Sequence, residues 1–303
     1  MNKYVIYTIM VGGYDDIVQP SIIDNRFDYI LFSNDFEIEY VGVWIVRKIP
    51  DVIKNDNKRL SRYPKTHPET LLSEYDFSLY IDANIQISNQ WVYDRFVELA
   101  EKDVEFAGVK LVLTGRDCIY RHAYDICARR IAHDYETIVQ MHELYKRGFP
   151  EHFGLNENNI IFRKRTEKMA RADEEWWWWI TNYSFRDQFS YMYCLWKHGI
   201  KIEYFLPIGW DARNNENFIL YEHDDNKGVK SVKIVKRGLF ECLRNGCRNI
   251  SSPKYEYYCE KWVELCKAPN PKLSLFLLGI KACIVESPSL IKRALACFLI
   301  KKK

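Results

Sequence analysis

At 303 residues the chain is long enough to bury a sizeable core, as one large domain or as a domain with an appendage. Its hydrophobic share of 48% and charged share of 28% are those of an ordinary globular protein, and a net charge of +3 is too small to argue for a nucleic-acid partner. Nine cysteines, an odd number scattered between Cys118 and Cys297, argue against a disulfide framework and for a reducing compartment. Cys242, Cys247, Cys259 and Cys266 match no ordinary zinc-knuckle spacing and read as free thiols.

The N-terminal run from Tyr4 to Val11 is β-branched and aromatic and ends in Gly12-Gly13, which predicts a buried strand followed by a tight loop. It is apolar for only a few residues and lacks a small-residue cleavage site, so it reads as a first strand rather than a signal peptide. Residues 28–35 and 41–50 repeat the form, the latter closed by Pro50. A fourth strand is predicted in "DFSLYIDANIQIS" and a fifth at 104–113, with an intervening helix whose Trp91, Phe96, Leu99 and Ala100 share a face. Two successive helices follow in "RDCIYRHAYDICARRIAHDYETIVQMHELYKRG", with Gly148 as a stop, and "NNIIFRK" returns to strand. "EKMARADEEWWWWITN" and "FRDQFSYMYCLWKHG" read as helices, the second with Ser184 as its N-cap and Gly199 past its end. The run Trp176 to Trp179 cannot all face one way on a helix, so part of it belongs in the core.

Strands alternating with helices predict an α/β sheet, in which ligands bind outside the strand C-terminal ends. Asp82 and Asn84 stand at such an end, with one residue between them. Two oxygen donors there suit Mg²⁺ or Mn²⁺, which completes its shell with phosphate and water, although D-x-N is also ordinary turn chemistry. The basic stretch "NKRLSRYPK" supplies Lys58, Arg59, Arg62 and Lys65 ahead of it, suited to phosphate or to a solvated helix face. Glu157, Asn158 and Asn159 are sugar-binding or turn residues. Arg186, Asp187 and Gln188 fall in the predicted first turn of a helix, where an acidic group also suits the macrodipole. His223 is a lone late histidine open to several roles.

In this order, "YTIMVGGYD", "DYILFSND", Arg59 with Arg62-Tyr63-Pro64-Lys65, "YDFSLYIDANI", "RDCIY", "GFPEHFGLNENNIIFR", "EWWWWI" and "SFRDQFSYMYCLW" resemble the TOD1/MUCI70-type glycosyltransferase-like family. The resemblance covers residues 3–224 and is most specific at "IDANI" and S-x-R-D-Q-x-S. It implies a GT-A fold, a Rossmann-like mixed sheet flanked by helices, with a nucleotide-sugar donor bound through Mn²⁺ or Mg²⁺. On this basis Asp82, Asn84 and, more loosely, His223 are metal ligands, while Tyr14, Asp15, Asp35, Arg59, Arg62 and Lys65 hold the nucleotide. Glu157, Asn158, Arg186 and Gln188 surround the donor sugar and acceptor, with Asp187 as the catalytic carboxylate. Asn84 stands where the family carries a second carboxylate, and Arg121-His122 where acidic residues are common.

The expected organisation is a glycosyltransferase domain over 1–225 and a helical extension over 226–303. In that extension Leu290, Ile291, Ala294, Leu295, Phe298 and Leu299 share a face flanked by basic residues, as in a helix lying on a membrane surface or packing on a core. The expected activity is transfer of a sugar, UDP-linked by preference, to a glycan or lipid-linked glycan in bacterial surface polysaccharide synthesis. The place of action is the cytoplasm or the cytoplasmic face of the inner membrane, and no nucleic acid takes part. The motif order favours retention of anomeric configuration. A non-catalytic carbohydrate-binding protein and a sugar-nucleotide pyrophosphorylase are the alternatives. The acidic "VGGYDD" speaks against the pyrophosphorylase, which wants a basic glycine-rich loop there.

Overall fold

The computed structural model describes residues 2–13, 17–111, 117–129, 131–221, 253–257 and 259–261. Tyr14, Asp15, His223, Cys242, Cys247, Cys266 and the segment predicted as a C-terminal amphipathic helix lie outside the described residues. The chain divides into two compact units: Met1–Asp117 with Phe153–Asn226, and Cys118–His152 with Lys227–Lys303. Residues 118–152, kept with the sheet in the sequence reading, thus group with the C-terminal segment.

The first unit is α/β. Its strands are β1 (Tyr4–Ile9), β2 (Phe27–Phe32), β3 (Tyr40–Val41), β4 (Trp44–Arg47), β5 (Phe77–Ile81), β6 (Ile85–Ile87), β7 (Phe106–Lys110), β8 (Asn156–Lys164), β9 (Glu203–Tyr204) and β10 (Phe218–Leu220). Eight of them form a mixed sheet in the order β3-β4-β2-β1-β5-β8-β7-β9, and β10 pairs with β6 in a separate two-stranded sheet. β1 runs parallel to β2 and β5, β2 to β4 and β7 to β9, whereas β8 is antiparallel to both neighbours. The predicted third strand is a hairpin of β3 and β4, because Gly42, at φ 62°, turns the chain between them. The predicted fourth strand breaks after Ile81, since Ile85 N donates to Asp82 O at 3.0 Å and closes a turn over Asp82 and Asn84.

Short helices α1 (Asn57–Leu60), α2 (Tyr63–Thr66) and α3 (Pro68–Leu71) follow β4. α4 (Trp91–Glu101) covers one face of the sheet, burying Val92, Tyr93, Phe96 and Leu99 against Leu79, Ile81 and Phe162. Strand residues alternate between faces, so Tyr7, Tyr80 and Arg163 turn the other way, towards α2 and α7 (Glu167–Asn182). In α7 the four tryptophans divide as helical geometry requires. Trp176 and Trp179 are fully buried, Trp177 packs on Tyr63 and His67, and Trp178 is exposed.

The second unit contributes α5 (Ile119–Ala128) and α6 (Asp134–Lys146). α6 stops at Gly148, whose φ of 76° lets the chain leave the helix while Gly148 N and Phe149 N bond back to Tyr145 O and Leu144 O. The predicted helix from Ser184 does not start there: residues Asp187–Phe189 form a 3-10 turn, and α8 spans Tyr191–Lys197. Gly199, at φ 62°, follows α8 as expected. Among the described residues no helix is long and apolar enough to cross a membrane.

Under the sheet, Arg163 is 1% exposed and bonds through Nη1 to Asp173 Oδ2 at 2.7 Å and to Lys65 O at 2.8 Å, and through Nη2 to the Tyr7 hydroxyl. Nearby, burial and then Asp173 push the Glu69 carboxyl up to about 8, against the pull of Arg163 and Arg165. A carboxyl raised in the folded state contributes stability that is present below its unfolded value near 4.5 and is lost as pH rises through about 8. Urea unfolding at pH 5 and pH 9 should therefore show Glu69→Gln gaining on the wild type as pH rises. Parallel pH profiles would show that Glu69 does not titrate this way.

Candidate functional site

The order of strands reverses beside β1. The chain proceeds from β1 outward to β2 and β4, then crosses back to place β5 on the other side of β1. Open α/β sheets bind ligands outside the strand C-terminal ends at such a switch point. Gly12 and Gly13 follow β1 there, Asp35 lies just beyond β2, and Asp82 follows β5 directly. Gly13 N donates to Asp35 Oδ2 at 3.0 Å, which ties the first two loops together. Gly12 has φ 78°, a left-handed conformation that favours glycine, where the loop passes the Asn57 side chain of α1. Because β8 runs antiparallel to β5, its N-terminal end reaches the same place, and Asp82 N donates to Asn159 O at 2.9 Å.

Four predicted residues converge at this point. Lys65, 3% exposed on α2, donates from Nζ to Asp187 Oδ2 at 2.6 Å and stands 3.9 Å from Asp82 Oδ1. Arg62 Nε is 3.6 Å from the same Asp187 oxygen. Asp187 opens the 3-10 turn and is held from behind by Trp176, whose Nε1 donates to the Asp187 carbonyl at 2.9 Å. Trp176 in turn stacks on Tyr191 with ring centroids 3.7 Å apart.

Burial alone would raise the Asp187 carboxyl, but Lys65, then Arg62 and Arg186, outweigh it and hold the group well below the usual carboxylate range. Burial lowers the Lys65 ammonium, opposed by Asp187 and Asp82.

Tyr80, which the sequence reading passed over, completes the cluster. Its hydroxyl donates to Asp82 Oδ1 at 2.6 Å, and its ring lies under Lys65 Nζ at 4.5 Å from the centroid. Burial, and then the Asp82 charge, push the phenol well above its ordinary value, so it stays a donor. The alternation that points Tyr80 and Asp82 to one side of a strand was the available signal.

Other predicted residues are placed differently. Arg59 bonds Asp56, Ile180 O and Tyr183 O, satisfying carbonyls at the C-terminal end of α7. Arg186 Nη2 donates to Gln188 Oε1 at 2.8 Å. Asn84 is 4% exposed, donates from Nδ2 to Tyr221 O at 2.7 Å and accepts Tyr221 N on its backbone carbonyl at 2.9 Å, extending the β6–β10 pairing. Glu157 accepts Arg213 Nη1 on both oxygens at 2.8 Å and Asn159 Nδ2 at 3.1 Å, and burial raises its carboxyl against the pull of Arg213. Asn158 is 5% exposed, with a buried Nδ2 that finds no hydrogen-bond partner among the described residues. These β8 residues flank a register shift against β7 between Ala107 and Val109, an irregularity that re-aims side chains at a strand end.

A hard divalent cation fits this set in a limited way. Asp82 Oδ1 is taken by Tyr80, while Oδ2 receives no hydrogen bond among the described residues. Among those residues no group of three or more His, Cys, Asp or Glu stands together as a cage. With the Asn84 side chain buried and turned to Tyr221, the set offers a cation one Asp82 oxygen, a number compatible with Mg²⁺, which commonly takes only one or two protein carboxylates.

The Lys65–Asp187 pair makes its own prediction. Removing one partner leaves a buried unpaired charge and should cost about 3–5 kcal/mol, whereas replacing both with apolar groups costs less. Lys65→Met and Asp187→Leu should each lower the urea midpoint more than the double variant does. Additive losses would show that the pair is not coupled. No protein-family model matches this chain, and no curated protein sequence does either.

Proposed function

We propose that this chain is a GT-A-type glycosyltransferase, which moves a sugar from a nucleoside-diphosphate donor, UDP-linked by preference, to a glycan acceptor with the help of Mn²⁺ or Mg²⁺. The observation that carries this reading is the meeting of Asp82, Lys65, Arg62 and Asp187 at the switch point of a mixed α/β sheet. The likeness of residues 3–224 to the TOD1/MUCI70-type family belongs to the same reading.

The Gly12-Gly13 loop and Asp35 would receive base and ribose, as the crevice outside β1 and β2 suits a nucleotide. Lys65 and Arg62 supply positive charge where a diphosphate leaves, in a site whose cations are already fixed in place. A divalent cation at Asp82, when bound, neutralises diphosphate charge as a Lewis acid. Tyr80 holds one Asp82 oxygen and leaves the other facing that position.

Asp187 is a weak base, because its proton affinity is suppressed and Lys65 occupies one of its oxygens. That favours positioning or electrostatic work for Asp187 over proton abstraction from the acceptor, in keeping with retention. Action on a lipid-linked acceptor at the cytoplasmic face of a membrane, in bacterial surface polysaccharide synthesis, completes the proposal. It rests on the C-terminal pattern in the sequence alone.

The test is thermal shift with nucleotide sugars and Mn²⁺, followed by donor hydrolysis and transfer assays. Binding should raise the melting temperature with ligand concentration, and Asp82→Ala should lower turnover by about 10²–10³-fold. No stabilisation of the wild type by any nucleotide sugar with Mn²⁺ would end the enzyme reading. Saccharide binding without hydrolysis would turn it into the carbohydrate-binding one.

A further inference from the structure

Asp82 is fixed through its backbone and through one side-chain oxygen. Its N–H donates to Asn159 O at 2.9 Å, and its carbonyl accepts Ile85 N at 3.0 Å. Of the carboxylate oxygens, Oδ1 accepts the Tyr80 hydroxyl at 2.6 Å and is also the one 3.9 Å from Lys65 Nζ. Oδ2 receives no hydrogen bond among the described residues.

Tyr80 is itself held in place. It is 4% exposed, its ring lies 5.4 Å from that of Tyr7 between centroids, and Lys65 Nζ stands over the ring at 4.5 Å. Its backbone is flanked by Tyr7 of β1 on one side and Ile161 of β8 on the other. The sheet thus sets the position of the phenol oxygen, and the phenol sets the orientation of the carboxylate.

A carboxylate held this way presents one oxygen. Turning both oxygens to a single cation would break a charge-assisted O–H···O⁻ bond and leave the buried hydroxyl without its acceptor. Hard cations differ in how far they tolerate that restriction. Mg²⁺ is octahedral and completes its shell with water and phosphate around one or two carboxylates, and Mn²⁺ takes a similar oxygen set. Ca²⁺ takes about 6–8 oxygens at longer range, and a bidentate carboxylate is one of its ordinary ways of reaching that number.

We propose that Tyr80 is a positioning residue that keeps Asp82 monodentate and so makes this site select Mn²⁺ or Mg²⁺ over Ca²⁺. This rests on the cation site of the function proposed above, and not on sugar transfer itself.

The test is Mn²⁺ binding to the whole protein, read from the paramagnetic resonance of the free ion, with displacement by Ca²⁺. It is run with and without UDP, against protein-free UDP, for wild type, Tyr80→Phe and Asp82→Ala. Wild type should bind Mn²⁺ at least about tenfold more tightly than Ca²⁺, and Asp82→Ala should lose the Mn²⁺ site. Tyr80→Phe keeps the ring beneath Lys65 and removes only the hydroxyl. Losing that orienting bond should weaken Mn²⁺ by about tenfold or more, while the freed oxygen favours Ca²⁺, so the Mn²⁺-to-Ca²⁺ affinity ratio falls by at least as much. A merely structural hydroxyl would lower both affinities together, and an unchanged ratio in Tyr80→Phe would overturn the proposal. So would a wild type that binds Ca²⁺ as tightly as Mn²⁺, or no Mn²⁺ with or without UDP, results that do not depend on how the variant folds. Nucleotide-sugar hydrolysis alongside an unchanged ratio removes the role of Tyr80 and leaves the transferase reading. Tyr80-dependent metal selection in a protein that takes no nucleotide sugar does the reverse.

Discussion

A single guanidinium ties the first unit together. Arg163 sits in the sheet with almost no exposure, and its charge is tolerable there only because Asp173 on α7, the Lys65 carbonyl on α2 and the Tyr7 hydroxyl on β1 all meet it. Each partner comes from a different element. The position of α2 relative to the sheet is therefore a condition of burying the charge, and the Lys65 side chain arrives at Asp187 as a consequence.

The second buried pair has a different character. Lys65 and Asp187 neutralise each other away from water, while the Asp82 side chain is 37% exposed. The fold itself holds these charges in place, through the Lys65–Asp187 pair and the Arg62 guanidinium beside it. Trp176 contributes by fixing the backbone of Asp187 from the core side. Part of the tryptophan run is thus structural support for the site, and Trp178 is left to solvent.

Much of the architecture was legible. Apolar runs closed by polar residues marked β1, β2, β5, β7 and β8, and the periodic segments became α4, α5, α6 and α7 nearly at their predicted bounds. The strand end at Asp82 was found because oxygen-bearing residues interrupt an apolar run. Three-dimensional partnership was harder to see. Nothing local distinguishes Arg59, which closes α7, from Lys65, which enters the site, since both lie in one basic stretch. Asn84 reads as a ligand by spacing, yet its amide nitrogen serves the β6–β10 pairing. Ser184 has the chemistry of a helix cap, but the chain makes a 3-10 turn before the helix begins at Tyr191. Arg213 and Tyr80 carried no motif, and their roles emerge only from what lies across from them.

One backbone hydrogen bond bears on how the molecule is made. Gly154 N donates to Asp117 O at 2.9 Å, so the ends of the intervening stretch are neighbours within the first unit. The ribosome must nevertheless deliver that whole stretch before β8 exists. Until then β5 lacks its antiparallel partner, Asp82 has no Asn159 carbonyl to hold it, and Lys65 has no Arg163 beneath its backbone. Pairings of such wide sequence separation form late and slowly. The nascent chain thus carries the loops after β1 and β2 well before its charge cluster, which is complete only once β8 and Asp187 have been made.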